Sequence, residues 1–419
     1  MDKPTYWHSV TQSDSTKVKW VTDNAFPVKS IDPNNEDYTD LLPLQNIIKD
    51  TRVVMLGEAT HGDGATFYAK QRLVRFLNEM MEFDVLAWEI DFFTMEEMNF
   101  ELKSGQPILP ESIWGESGVM KPIYQYSRAT LDTNRLLIHT GFDIVPSFKL
   151  DHYFNVLFRF IEKHHPKFVS SPDLKVLGNF LNNRGDYNPT EEERTRLRIA
   201  ISDIVDTLYN DAKKVQNNRD FIFFAKTLED LADYEQHIIL SRKMGFPPEN
   251  IIFRGRKMGE NLLWLVREWY PDKKIIVWAA NRHVARNVLS IQLINPQTFN
   301  IALQFLDDYR EMGDLVHSEL GNSAYSIGFT SFRGSRGRKK DEPEQFISVS
   351  QSIENIWHLT GIPYGIIDFS NLPEDHWLCK PSFAYFDGTL ERANWAEVFD
   401  GMFFIDTMFP NNDSSIQNE

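Results

Sequence analysis

Cysteine is almost absent. The chain has one in 419 residues, Cys379, which excludes an internal disulfide framework and a cysteine-built zinc site. Its setting, HWLCKP, offers nothing to activate a thiol, so a buried or half-buried packing role is expected. Long apolar runs are also missing: no window approaches the roughly twenty residues that a membrane span needs. The first residues, MDKPTYWHSVTQSDSTK, contain no apolar stretch of the secretory kind, so a cytoplasmic location without a membrane partner is expected. Positive charge is in deficit. Against 60 Asp and Glu stand 44 Lys and Arg, a formal net charge of −16, which argues against nucleic acid and anionic lipid as partners. There is no G-x-S-x-G elbow, so a serine nucleophile is not expected. A small molecule remains as the partner class, and the chain carries no signal for oligomeric state.

What is present is a series of short apolar runs, rich in β-branched and aromatic residues, that read as buried strands. They are Arg52–Leu56, Asp84–Ile90, Gly141–Phe148, Lys273–Ala280, Phe299–Leu306, Ala324–Phe332, Gly365–Phe369 and Gly401–Asp406. Most are continuous rather than alternating, as in strands covered on both faces. Helical patterns between the early ones imply an α/β fold with a mostly parallel central sheet flanked by helices. Between about 151 and 250 the apolar spacing becomes helical and strand signals vanish. The expected layout is a first part of the α/β domain at 1–150, a helical insertion at 151–250, a second part at 251–410 and a disordered tail at 411–419. The charged stretch Arg333–Gln345, RGSRGRKKDEPEQ, reads as a mobile loop.

In a parallel sheet, ligands bind beyond the carboxyl ends of the strands. Three strands end in ionisable groups. RVVMLGEATHGDG delivers Glu58 and His61; DVLAWEID delivers Glu89 and then Asp91; KKIIVWAANRH delivers Asn281, Arg282 and His283. Taken singly, His61 could cap a helix and His283 could sit in a polar turn. Together with Glu58 and Glu89 they make a site by topology.

The helix after His61, FYAKQRLVRFLNEMM, adds a lysine. Gln71, Arg72, Arg75, Asn78 and Glu79 share one face, and Phe67, Leu73, Val74, Leu77 and Met80 the other. Lys70 falls among the apolar residues, where it must find a carboxylate or reach water. Glu58 and Glu89 are the available carboxylates.

These elements resemble the erythromycin esterase family. The likeness runs through TRVVMLGEATHGDG, Glu89 in LAWEIDFF, IWGESGVMKPIYQYSR, GFDIVPSF, FRGRKMGENLLWL, IIVWAANRHVARN, YSIGFTSFRG and FDGMFFID, in the family's order. It implies an α/β fold with a helical insertion, a deep cleft between them, and hydrolysis of macrolide lactones, an antibiotic-resistance activity. It implies a histidine general base and no obligatory metal or other cofactor. Carried over, the base is His61 with Glu58 as its acidic companion, Glu89 is the second carboxylate, and His283 is the last histidine of an H-N-x-H element. Lys70 and His283 are candidate oxyanion donors, with Arg282 or Arg254 as the next candidates. Arg254, Asn281 and Arg282 are candidate substrate-binding residues. Three positions depart from the pattern: Lys70 replaces an arginine, Ala280 replaces the first histidine of H-N-x-H, and Gly255 stands where an aspartate is usual. The expected activity is ester or lactone hydrolysis. The alternatives are a metal-dependent hydrolase using two Glu and two His, and a non-hydrolytic member that binds the compound or carries out a biosynthetic acyl or cyclisation step.

Overall fold

Val53–Leu56 and Ile275–Trp278 are apolar at every position and wholly buried, the pattern of strands packed on both faces. Their odd and even residues divide between two cores. Val53, Met55, Ile275 and Val277 face one, and Val54, Leu56, Ile276 and Trp278 face the other. In the computed structural model, which describes residues 12–104, 117–147, 150–182, 187–216, 218–243, 248–293, 310–338 and 342–411, these strands lie at the centre of a nine-stranded sheet.

Up to the helical block, α1 (Gln12–Asn24), β1 (Phe26–Pro27) and α2 (Leu42–Ile48) come first. They are followed by β2 (Val53–Leu56), α3 (Gly64–Met81), β3 (Phe83–Asp91), α4 (Phe92–Ser104), α5 (Lys121–Ala129) and β4 (Ile138–Asp143). Helices α6 (Leu150–His164), α7 (Pro166–Val169), α8 (Pro172–Asn182), α9 (Glu191–Ala212), α10 (Arg219–Lys243) and α11 (Pro248–Trp264) then run, among the described residues, without a strand between them. The chain returns to the sheet through β5 (Lys274–Trp278) and continues with α12 (Asn281–Val284), β6 (Gln292–Leu293) and α13 (Met312–Leu320). Strands β7 (Ala324–Arg336), β8 (Glu344–Ile347), β9 (Tyr364–Asp368), β10 (Ser382–Tyr385), β11 (Leu390–Ala393) and β12 (Gly401–Met408) complete it.

The sheet order is β1-β9-β12-β7-β2-β5-β3-β4, with β8 paired to β7. From β12 to β4 every neighbouring pair is parallel, and β1, β9 and β8 join antiparallel. A separate small sheet is formed by β10, β11 and β6. Helices α6 to α10 share a core of their own, built from Leu157, Leu177, Leu197, Ile204, Leu228 and others, which Phe93 of α4 joins. Thr190 starts α9 with a capping box to Glu193. Phe223 of α10 packs against the rings of Phe92 and Phe93 at 5.4 and 5.7 Å, filling the junction between this block and α4.

Several expectations shift. The fourth strand is Ile138–Asp143 rather than Gly141–Phe148, and the chain turns after Asp143. Both ends of the charged stretch Arg333–Gln345 lie in paired strands, β7 and β8 pairing from Arg333↔Ile347 to Arg336↔Glu344. Its charges do not prevent this, because Arg336 lies near the rings of Phe346 and Tyr385 and pairs with Glu344. The expected strand Phe299–Leu306 and all of the tail beyond Asn411 fall outside the described residues. Helix α3 is not two-faced. Gln71, Arg72 and Asn78 are buried and Met80 is 46% exposed. Arg72 is buried because Asp40 takes both ends of its guanidinium, at 2.7 and 2.9 Å, and Asn78 because it donates to Phe83 O and accepts from Tyr126. Among the described residues, no helix is long and apolar enough to cross a membrane.

Candidate active site

The sheet register brings the three strand ends together. Leu56 of β2, Trp278 of β5 and Trp88 of β3 stand in one row, with β5 between the other two. Glu58 therefore emerges two residues beyond the row, Glu89 one beyond it, and the turn into α12 starts two beyond it. The ladder continues past the strands: Ala279 N donates to Leu56 O at 3.2 Å and Asn281 N to Glu58 O at 2.7 Å.

Gly57 is required at this crossing. A Cβ there would lie 2.1 Å from Asn281 Oδ1. That side chain is committed elsewhere: Oδ1 accepts from Phe329 N at 3.0 Å, and Nδ2 donates to Phe329 O and Phe386 O at 2.8 and 2.9 Å. Asn281 thus ties α12 to β7 and to the loop after β10, and it is 1% exposed. It stands behind the site rather than on a surface that a substrate could touch.

Glu58 is wholly buried and held from two sides. Its Oε1 faces His61 Nδ1 at 2.9 Å, and its Oε2 accepts from Lys70 Nζ of α3. Lys70 is also fully buried, with its ammonium 4.3 Å from the centre of the Trp278 ring. Burial is the largest influence on Lys70 and lowers its pKa to about 8, against the pull of Glu58. Lys70 therefore supports Glu58 from behind. With no exposed surface it cannot offer the direct oxyanion contact considered for it from the sequence.

His61 is the accessible member, with 19% of its side chain exposed. Its turn is built by Thr60 and Asp63, joined at 2.6 Å, and by Asn411 Nδ2, which donates to His61 O at 3.1 Å. Because Glu58 takes Nδ1, the carboxylate favours the tautomer with the proton on that nitrogen and a lone pair on Nε2.

Glu89 forms the second centre. Its Oε1 is 3.1 Å from Arg254 Nη2 and 3.3 Å from His283 Nε2, and its Oε2 accepts from Ala280 N at 3.0 Å. Burial opposes its charge, but His283, His61 and Arg254 hold its pKa well below the usual carboxylate range. Arg254 is bidentate to Asp143 at 2.6 and 3.0 Å, and a quarter of its side chain is exposed. His283 is 7% exposed, and its Nδ1 faces Glu311 Oε2 at 3.3 Å. Burial acts against a charged ring here, yet Glu89 and Glu311 raise its pKa to about 10. Arg282 pairs through Nε with Asp387 at 2.8 Å.

The structure thus groups His61, Glu58 and Lys70 in one chain of contacts and Glu89, His283 and Arg254 in another. Sequence reasoning missed Asp143, Asp387 and Glu311. Asp143 ends β4 opposite Asp91, the last residue of β3, but the expected strand at Gly141–Phe148 had left it inside a strand rather than at its end. Glu311 carried only its place before a helix, in the pattern E-M-G-D. Gly255 turns out to face Glu311, whose carboxylate fills the space that a side chain at 255 would take. Among the described residues, no three His, Cys, Asp or Glu side chains are grouped to hold a metal ion. Both glutamates direct their oxygens at cations and N–H groups instead.

YbfO of Bacillus subtilis (strain 168), provisionally named a hydrolase, is 25% identical over 426 residues, covering 94% of this chain and 91% of its own. The erythromycin esterase type II of Escherichia coli is 23% identical, covering 93% of this chain and 97% of its own. The solved structure of a mutant of the erythromycin esterase EreC, in its open conformation, superposes with a TM-score of 0.68 at 16% identity, over 90% of this chain and 96% of that one. The erythromycin esterase family model matches residues 79–408. The chain belongs to the erythromycin esterase family.

Proposed function

We propose that the protein is a hydrolase that opens an ester or lactone of a bulky natural product, such as a macrolide, by attack of a water activated at His61. The observation that carries this is the line Lys70–Glu58–His61, in which a buried ion pair fixes one ring nitrogen of a partly exposed histidine. His61 Nε2 takes a proton from water while the oxygen attacks the carbonyl carbon, and Glu58 stabilises the resulting imidazolium. The carbonyl oxygen becomes an oxyanion, and the C–O bond to the leaving alcohol then breaks. The imidazolium returns its proton to that alkoxide.

An oxyanion needs a positive donor. Arg254 fits best. Its Nε and Nη2 are anchored on Asp143 and Glu89, which leaves the Nη1 edge of a partly exposed guanidinium for the substrate. Glu89 would then act by fixing Arg254. Incubation with a panel of macrolides, other lactones and simple esters, read by mass spectrometry for the addition of one water, tests this reading.

A second reading is favoured by one observation. At Ala280 the side chain is a methyl, and only the backbone N–H addresses Glu89. A site with one imidazole fewer suits a member that binds the compound, or carries out an acyl or cyclisation step, without hydrolysis. Recovery of unchanged ligand after tight binding would favour it, and Ala280→His tests whether an added imidazole raises ester hydrolysis.

A further inference from the structure

His283 lies between two carboxylates, and only one of them comes from the strands that build the site. The other is Glu311, at the N-terminus of α13. We propose that Glu311 is a positioning residue, which grips the Nδ1 side of His283 and keeps its Nε2 on Glu89, and that Gly255 is the gap in α11 that admits its carboxylate.

Glu311 is fully buried. Its side chain accepts from the backbone N–H of Asp314, while the Asp314 carboxylate accepts from Glu311 N at 3.2 Å, a reciprocal cap that fixes the carboxylate in place. From there Oε2 reaches His283 Nδ1 at 3.3 Å. The approach is tight on two sides. A Cβ on residue 255 would lie 2.4 Å from Glu311 Oε2 and 3.0 Å from its Cδ. A Cβ on Gly313 would lie 2.3 Å from Ala285 O, so the first turn of α13 is pressed against the end of α12, the helix that carries His283. Any side chain at 255 would displace Glu311 from the ring.

The chemistry follows from donor counting. A neutral imidazole has one N–H and cannot donate to carboxylates at both nitrogens. Held between Glu89 of β3 and Glu311 of α13, the His283 ring is an imidazolium with a fixed plane. The other charged or titratable groups near it are Arg254 of α11, which contacts the same Glu89 Oε1, and His61. Burial alone would neutralise the ring, and the two carboxylates together keep it charged to about pH 10. Without Glu311 the ring could rotate or lose its proton near neutrality, and Glu89 would lose one of the two cations at its Oε1. In the hydrolysis proposed above, on which the turnover part of this inference rests, Glu89 holds Arg254, so Glu311 acts through His283 and Glu89.

The competing account is that Glu311 only caps a helix. Glu311→Ser separates the two, because serine is a good N-cap that does not reach His283. Glu311→Gln, which keeps length and removes charge, serves if the serine variant is unstable. The direct readout is the His283 ring signal in histidine-labelled protein, assigned by its loss in His283→Gln. In the wild type it should not titrate between about pH 5 and 8.5, whereas in Glu311→Ser its midpoint should fall by more than about one pH unit. Turnover should drop about ten- to a hundredfold, with a new limb at the shifted midpoint and thermal stability little changed. Gly255→Asp added to Glu311→Ser, which returns a carboxylate from the α11 side, should restore part of both. An unchanged His283 titration in Glu311→Ser, or a turnover loss that merely follows stability, would overturn the proposal. The ring titration needs no substrate, so it stands or falls independently of the hydrolase reading.

Discussion

Lys70 meets Glu58 across the gap between α3 and the end of β2, and neither shows any side-chain surface to solvent. Removing one partner of such a pair leaves an uncompensated buried charge, which typically costs about 3–5 kcal/mol. Lys70→Met should therefore lower unfolding stability by about that amount, measured by urea denaturation. A change near zero would mean that the two side chains do not form a buried ion pair.

The same pair sets an expected pH dependence. Lys70 has its pKa lowered to about 8, by burial first of all. As pH rises through that value the ammonium loses its proton, Glu58 loses its cation, and activity should fall. Lys70→Arg keeps the charge at every accessible pH, so the alkaline limb should move above about pH 10 in this variant. A limb that stays near 8 would have to be assigned to another group.

His283 gives the opposite kind of linkage. Its folded pKa is raised to about 10 from an ordinary value of 6.5. A raised folded pKa contributes stability that is complete below about 6.5 and is lost as pH climbs towards about 10. Lys70 works the other way above about 8, so the useful quantity is the difference between wild type and His283→Gln. That difference should shrink steadily from pH 7 to 10 in denaturation curves. A constant difference would show that the ring is neutral in the folded protein.

Gly57 and Asn281 occupy one another's space. Gly57→Ala should destabilise by about 1–3 kcal/mol through overpacking. Asn281→Ala should cost about 1–3 kcal/mol by stranding Phe329 and Phe386 backbone groups. The double variant should lose clearly less than the sum, because the clash disappears with the amide. Strict additivity would mean that the two residues do not meet.

How much of this was legible in the chain depends on range. Glu58, Glu89 and His283 could be grouped before any coordinates, because each lies near or just past the carboxyl end of a buried strand and a parallel sheet gathers strand ends. Lys70 could be linked to Glu58 because a lysine among Phe67, Leu73 and Leu77 needs a carboxylate. The same helix misled where partners came from afar. Arg72 looked solvated, yet Asp40 buries it. Asn281 looked like a ligand contact, yet Phe329 and Phe386, far along the chain, consume its amide. Glu311 was invisible for the same reason: its role needs a glycine 56 positions earlier and the packing of α13 on α12. The β7–β8 pairing was hidden by its charges, since Arg336 is accommodated by rings and Glu344 rather than by water.

The central claim is that His61 activates water. Its most direct test is the turnover of His61→Ala beside the wild type, on whichever lactone or ester the panel shows to be cleaved, with folding checked by circular dichroism. His61 is partly exposed and carries little of the core, so the fold should survive. Turnover should fall by about 10²–10⁴-fold. A folded His61→Ala protein that hydrolyses the substrate at the wild-type rate would contradict the account.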